Sequence, residues 1–303
     1  MKQAKLHFSS ASQAAAYVDA CEAEYRTEVE AACDIALAGG SIITLAGPSC
    51  SGKTTTARIL DDAFLQRGKE LHTISIDDFY FDRNVLIARA RERGEPLDYD
   101  SPSTIDLALF GEVIERIDAK GKVLLPKFDF QTGKRAAMEE ITVTDGDVFL
   151  FEGIQAVYPE LTKYLAAYNF TSLFISVEDS LACGDAVFAP REIRFMRRLV
   201  RDARTRGATA EFTYSLWSGV VANEETHIYP NLAGVHHRID SLLGYEVSVI
   251  KPYVLALLDT LPADSVYLPE ANILREKLQN IPILDGNYVP EGSVFREFIG
   301  EKE

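Results

Sequence analysis

Gly47-Pro48-Ser49-Cys50-Ser51-Gly52-Lys53-Thr54 sets two glycines, a lysine and a hydroxyl at the spacing G-x-x-x-x-G-K-T. The apolar run Ser41 to Ala46 precedes it and the helix-like run Thr55 to Gln66 follows. Between a strand and a helix this is a phosphate-binding loop. Its glycines let backbone N–H groups turn inward around a polyphosphate, and the helix directs its positive end at the same anion. Gly47, Ser49, Ser51, Gly52, Lys53, Thr54 and Thr55 are therefore the expected contacts of a nucleoside triphosphate. Lys53 is expected at the β- and γ-phosphates, and the Thr54 hydroxyl on Mg²⁺. A chance glycine-rich turn would lack the Lys-Thr pair and the flanking pattern.

Transfer of a phosphoryl group also needs carboxylates, for the metal and for the proton of the attacking hydroxyl. Three apolar strands end in acids: Leu71 to Ile76 at Asp77-Asp78, Val148 to Phe151 at Glu152, and Ser172 to Val177 at Glu178-Asp179. Glu152 is the candidate for Mg²⁺ or its water shell; the alternative is an acid that only caps the Gly153 turn. Asp77 is placed to accept the proton, and Asp78 has a comparable claim. Seven arginines lie between Arg191 and Gly207, with Glu192 and Asp202 as the only acids. A solvated helix face normally mixes signs. This stretch is expected to clamp phosphate instead, because the guanidinium fork binds phosphate oxygens bidentately.

These groups need a scaffold that brings strand ends together. From Ser41 onward, apolar strands alternate with amphipathic helices, which predicts an α/β fold: a parallel sheet with helices on both faces. In such sheets, ligands gather beyond the carboxyl ends of the strands. Residues 1–40 read as a short start and one long helix, capped by Ser9, Ser10 or Ser12 and ended by Gly39-Gly40. That helix is expected to pack on the domain or to contribute to a contact between two copies of the chain. Arg89 to Thr104 reads as a polar loop, 105–119 as a helix and Val123 to Pro126 as a short strand. The expected division is an N-terminal helical extension 1–40, a nucleotide-binding domain 41–260 including an arginine-rich lid 191–207, and a helical C-terminal extension 261–303.

The chain of 303 residues carries 31 Lys and Arg against 46 Asp and Glu, a net charge of −15. That balance argues against nucleic acid or an acidic membrane as a partner. No apolar run reaches membrane-spanning length, and residues 1–10 lack the apolar core of a signal peptide. Cys21, Cys33, Cys50 and Cys183 are widely spaced, which fits a reducing cytoplasm rather than a disulfide framework or zinc site. His236 and His237 are adjacent and therefore face apart, so no metal is assigned to them.

Six stretches occur in one order: Gly47–Thr54; Ser75 to Tyr80; Tyr99-Asp100-Ser101-Pro102 with Asp106; Lys127 to Phe130 with Arg135; Phe151 to Ile154; and Arg197 to Asp202 with Arg206-Gly207. Together they resemble the uridine kinase and phosphoribulokinase family of P-loop kinases. The continuation, with Trp217, Glu224-Glu225 and Tyr245 to Tyr253, resembles a bacterial uridine kinase-like subgroup. Some members of that subgroup carry a portion similar to threonyl-tRNA synthetase, expected to be missing here because only residues 1–40 precede the first strand.

The resemblance implies an ATP-dependent phosphotransferase with Asp77 as catalytic base and Glu152 as a magnesium-associated acid. Arg198, Arg201 and Arg206 would contact phosphate, and Tyr80, Asp100, Phe128 and Arg135 the acceptor. It departs at Phe128, where uridine-cytidine kinases place a pyrimidine-contacting tyrosine, at Gly133, where they have a histidine, and at Ala208, in place of the arginine that follows the lid's Arg-Gly pair. The expected acceptor is a small-molecule hydroxyl, with a nucleoside favoured. A sugar phosphate or vitamin precursor is the alternative acceptor, and a nucleotide-dependent regulatory ATPase the alternative class. The lack of an Asn-Lys-x-Asp stretch favours ATP over GTP.

Overall fold

The computed structural model describes residues 1–94, 98–136 and 138–302. A short strand β1 (Lys2–Gln3) leads to helix α1 (Ala11–Gly39). Ser10 caps that helix by accepting from the Gln13 N–H, and the chain leaves it at Gly40. β2 (Ile42–Ala46), the phosphate loop, α2 (Lys53–Gln66) and β3 (Glu70–Ser75) follow. A 3-10 turn over Ile76–Phe79 precedes α3 (Arg83–Arg93) and α4 (Leu107–Asp118), the latter capped by the Asp106 side chain. Then come β4 (Lys122–Leu125), β5 (Phe128–Asp129), β6 (Lys134–Arg135) and β7 (Glu139–Thr142). β8 (Asp147–Glu152), α5 (Pro159–Leu165) and β9 (Phe170–Ser176) return the chain to the centre. β10 (Leu181–Cys183) and β11 (Ala186–Phe188) precede the arginine helix α6 (Pro190–Arg206). After it come α7 (Ala210–Asn223), β12 (His237–Asp240), α8 (Glu246–Leu258), α9 (Leu268–Gln279) and α10 (Arg296–Ile299).

The central sheet has the order β12-β9-β2-β8-β3 and is parallel throughout. Its inner strands are buried along their length, as continuous apolar runs require when both faces are covered. Side chains alternate between two cores. Ile43, Leu45, Leu150, Leu173 and Ile175 face α1, α2, α6 and α8. Ile42, Phe149, Phe151 and Phe174 face α4, α5 and the Ile76–Tyr80 turn. The predicted parallel sheet with helices on both faces is what the chain forms. No helix among the described residues is long and apolar enough to cross a membrane.

One expectation needs correction. The polar loop predicted from Arg89 begins instead as helix, since α3 runs to Arg93 and stops at Gly94 in the left-handed region. Only Leu86 and Ala90 of α3 are buried, too thin a stripe to stand out among its arginines. Glu95, Pro96 and Leu97 of that stretch lie outside the described residues.

Three segments complete the first core. Val18, Tyr25, Val29 and Ala32 of α1 reach it, as do Ala271, Leu274 and Leu278 of α9. The chain after Val289 adds Val294, Phe295, Phe298 and Ile299. A buried hydrogen-bond cluster joins α1, the start of α8 and the chain after Val289. Tyr245 and Ser293 both donate to the Glu22 carboxylate, with 2.6 Å from Ser293 Oγ.

Candidate active site

Beyond the carboxyl ends of β2, β3 and β8 lies a cavity of about 340 Å³. The phosphate loop forms its floor through Ser49, Cys50, Ser51, Gly52, Lys53 and Thr54. Gly47 lies behind it, where a Cβ would stand 2.2 Å from the Ile175 carbonyl oxygen of β9. Lys53 Nζ donates to the carbonyls of Gly47 (2.9 Å) and Pro48 (3.1 Å). Burial lowers the Lys53 pKa, while the carboxylates of Glu152 and Glu297 hold the proton on. Ser51 Oγ is buried without a hydrogen-bond partner and borders the cavity. An orphaned hydroxyl, loop amides and a lysine around one space fit an oxyanion ligand. Cys50 is buried at φ 60°, and its thiol is pushed up by desolvation, so it is held as a neutral packing group.

The acids separate by orientation. Asp77 and Glu152 both line the cavity. Asp78 turns away: it accepts from the Phe128 N–H (2.9 Å) and pairs with Lys127 at 3.4 Å. Burial raises the pKa of Asp77 and of Glu152, and Lys53 opposes both shifts. Thr54 borders the same space beside Glu152, so a hydroxyl and a carboxylate, both oxygen ligands suited to Mg²⁺, stand together there. Asp100 also lines the cavity, with its pKa raised to about 6, first by desolvation and then by Asp98 and Asp77.

Five of the seven arginines divide into two sets, while Arg191 pairs with Glu225 and Arg204 donates to the Phe298 carbonyl. Arg194 and Arg197 are buried and paired, Arg194 bidentate with Glu224 (2.6 and 2.7 Å) and Arg197 with Glu246 (2.6 and 2.9 Å). Each also donates to the phosphate loop, at the Ser49 and Cys50 carbonyls. They are braces, not cavity groups. Arg198, Arg201 and Arg206 do line the cavity. All three converge on Asp202, at 3.3, 2.8 and 3.4 Å. Arg198 Nη1 also donates to Ser49 Oγ at 2.8 Å. One carboxylate thus fans three guanidinium groups toward the loop.

Of the four residues expected to face the acceptor, Tyr80 and Asp100 line the cavity, and Phe128 and Arg135 do not. Phe128 packs edge-on beneath Tyr80, with ring centroids 5.7 Å apart. Arg135 Nη2 donates to the Tyr80 carbonyl (3.2 Å) and to Asp106 (3.1 Å), bracing the turn that presents Asp77. Gly133 sits at φ 68° in the β5–β6 turn, and a Cβ there would lie 2.6 Å from the Arg83 guanidinium carbon. The hairpin therefore has no room for a larger residue at this position. Thr55 also misses the cavity, its hydroxyl donating to Glu297 at 3.1 Å.

Some residues were not singled out by sequence. Gln155, two residues past Gly153, donates to Tyr80 Oη at 3.1 Å; its place just after a strand-end acid was the available signal. Asn223 lines the far wall with a buried, unpartnered Nδ2. Glu297 reaches the cavity from α10, and no motif marks it.

A parallel sheet carrying this loop, with acids on the neighbouring strand ends and arginines opposite, defines a P-loop nucleotide-dependent enzyme. The sequence profile of the Phosphoribulokinase / Uridine kinase family matches residues 42–247. The chain belongs to that family, whose members are ATP-dependent kinases. It is 28% identical over 181 residues to a uridine kinase of Ureaplasma parvum, covering 60% of this chain and 78% of that one. It is 29% identical over 170 residues to a uridine kinase of Lactobacillus johnsonii, covering 56% and 71%. Among solved structures it is similar to a D-glycerate 3-kinase of Cryptococcus neoformans, with TM-score 0.48 and 17% identity over 71% of this chain and 87% of that one.

Proposed function

We propose that this kinase transfers the γ-phosphoryl group of ATP to a hydroxyl of a nucleoside, in the cytoplasm. The observation that carries the proposal is one cavity holding Lys53, Thr54, Asp77, Glu152, Arg198 and Arg201 together with Tyr80 and Asp100. The kinship to two proteins named uridine kinase supports a nucleoside acceptor. Four cysteines without a disulfide support a reducing compartment.

Lys53 and the loop amides would hold the phosphates, with Ser49, Ser51 and Gly52 shaping the cradle. Thr54 and Glu152 would hold magnesium, whose charge offsets that of the β- and γ-oxygens when bound. Arg198 and Arg201 would face the transferring group, with Arg206 nearer solvent. Asp77 would orient the acceptor hydroxyl and take its proton as the new O–P bond forms and the bond from the γ-phosphorus to the β–γ bridging oxygen breaks, with ADP leaving. Asp100 and Tyr80 would hold the rest of the acceptor.

A second reading, a kinase for another small alcohol, is favoured by Phe128 lying beneath Tyr80 rather than in the cavity. A phosphotransfer screen with MgATP against nucleosides, sugar phosphates and vitamin precursors tests both. Transfer to uridine or cytidine supports the first, and transfer confined to a non-nucleoside alcohol supports the second. ATP hydrolysis indifferent to every acceptor overturns both in favour of a regulatory ATPase.

A further inference from the structure

The cavity contains a carboxylate that phosphoryl transfer does not call for. Glu297 reaches it from α10, on the same side as Cys50, Gly52 and Lys53. Its carboxylate accepts from the Thr55 hydroxyl, in the first turn of α2, where the helix is most attractive to anions. Its charge is felt at Lys53 and Arg201, two of the cations facing the phosphate space.

The backbone carrying Glu297 is fixed. Val294 packs against the loop so closely that a Cβ on Gly52 would lie 2.5 Å from Val294 Cγ2. The Arg197 guanidinium lies 4.9 Å from the Phe298 ring centroid, and Arg204 donates to the Phe298 carbonyl at 3.1 Å. Ser293 is held by Glu22. Arg296 gathers the carbonyls of Gly286, Val289 and Gly300. On this clamped backbone the Glu297 side chain is half-buried.

We propose that Glu297 is an internal anion competing with the nucleotide's phosphates, so that α10 sets nucleotide affinity and grades it by phosphate charge. The inference rests on the nucleotide-site reading above. A triphosphate entering the loop meets Glu297 as a like charge and draws on the same cations. When Glu297 swings away, its contact with Thr55 is lost and its negative charge leaves the amino end of α2. By reciprocity, bound phosphates weaken the Glu297–Thr55 contact.

The test is calorimetric titration of wild type, E297Q and K53A with MgATP, MgADP and adenosine, each variant checked by a thermal melt. E297Q keeps the side-chain shape and removes the charge. It should bind MgATP about three- to tenfold more tightly than wild type, MgADP less so, and adenosine unchanged, since like-charge repulsion scales with the ligand's charge. Equal affinities for wild type and E297Q overturn the inference. A loss shared by MgATP and adenosine also overturns it, making Glu297 a contact for the sugar or base. If E297Q melts early, E297D withdraws the charge by one methylene and must show the same graded tightening, smaller in size; no change overturns the inference. Wild type binding MgATP no better than K53A would instead defeat the underlying site reading.

Discussion

At the scale of single residues, Asp77 and Asp78 are adjacent and chemically identical, and the Ile76–Phe79 turn gives them different environments. Asp78 is occupied by the Phe128 N–H and Lys127, so of the two only Asp77 lines the cavity. D77N should lower kcat by about 10²–10⁴-fold with MgATP affinity nearly unchanged. E152Q should instead raise the magnesium concentration needed for half-maximal rate. Both quantities come from one titration of rate against Mg²⁺ and ATP, and a shifted magnesium requirement in D77N with kcat intact would exchange the two roles. The same acids fix the pH response. Burial raises Asp77 and takes Asp100 to about 6, so if Asp77 is the base, activity should fall with pH from above the ordinary aspartate range. Stability runs the other way. A carboxyl whose folded pKa is raised contributes most below its unfolded pKa, and that contribution is lost as pH rises through the folded value. Urea melts of wild type and D100N between about pH 4 and about pH 6 should show wild type losing stability relative to D100N as pH rises.

At the scale of elements, α6 shows why a charge run read from sequence is ambiguous. Its arginines alternate between two tasks at helical spacing: Arg194 and Arg197 brace the loop from behind, while Arg198 and Arg201 border the cavity. R197A leaves Glu246 buried without its cation, and losing one partner of a buried pair costs about 3–5 kcal/mol. It should therefore appear in a denaturant melt. R198A should leave the melt near wild type and lower kcat, with R198K restoring only part because lysine lacks the fork. The reverse pattern would show that the two sets were misassigned. The sheet was legible because β2, β8 and β9 are short, dominated by apolar residues and each followed by a polar turn. The phosphate loop was legible because its chemistry is local. Partition of the arginines was not, since it depends on Glu224 and Glu246, which lie on later elements. Phe128 and Arg135 kept positions expected to face the acceptor, yet the Gly133 hairpin folds them under Tyr80.

At the scale of the whole molecule, the expected division at residues 40 and 260 marks changes in chain path, and the three segments share one core. A fragment covering 41–260 would expose Leu45, Leu60 and Leu173 where α1 and the C-terminal segment lay. We predict that it is insoluble or binds hydrophobic dye strongly, and that a folded, monomeric 41–260 fragment with a sharp melt would show the outer segments to be dispensable. The contact between Thr55 and Glu297 spans 242 residues. Protein synthesis proceeds from the amino end, so a nascent chain displays its phosphate loop long before the residues that pack against it have been made. The nucleotide pocket is thus among the last features to close, and a ribosome stalled short of Val294 carries a loop whose outer side is still bare.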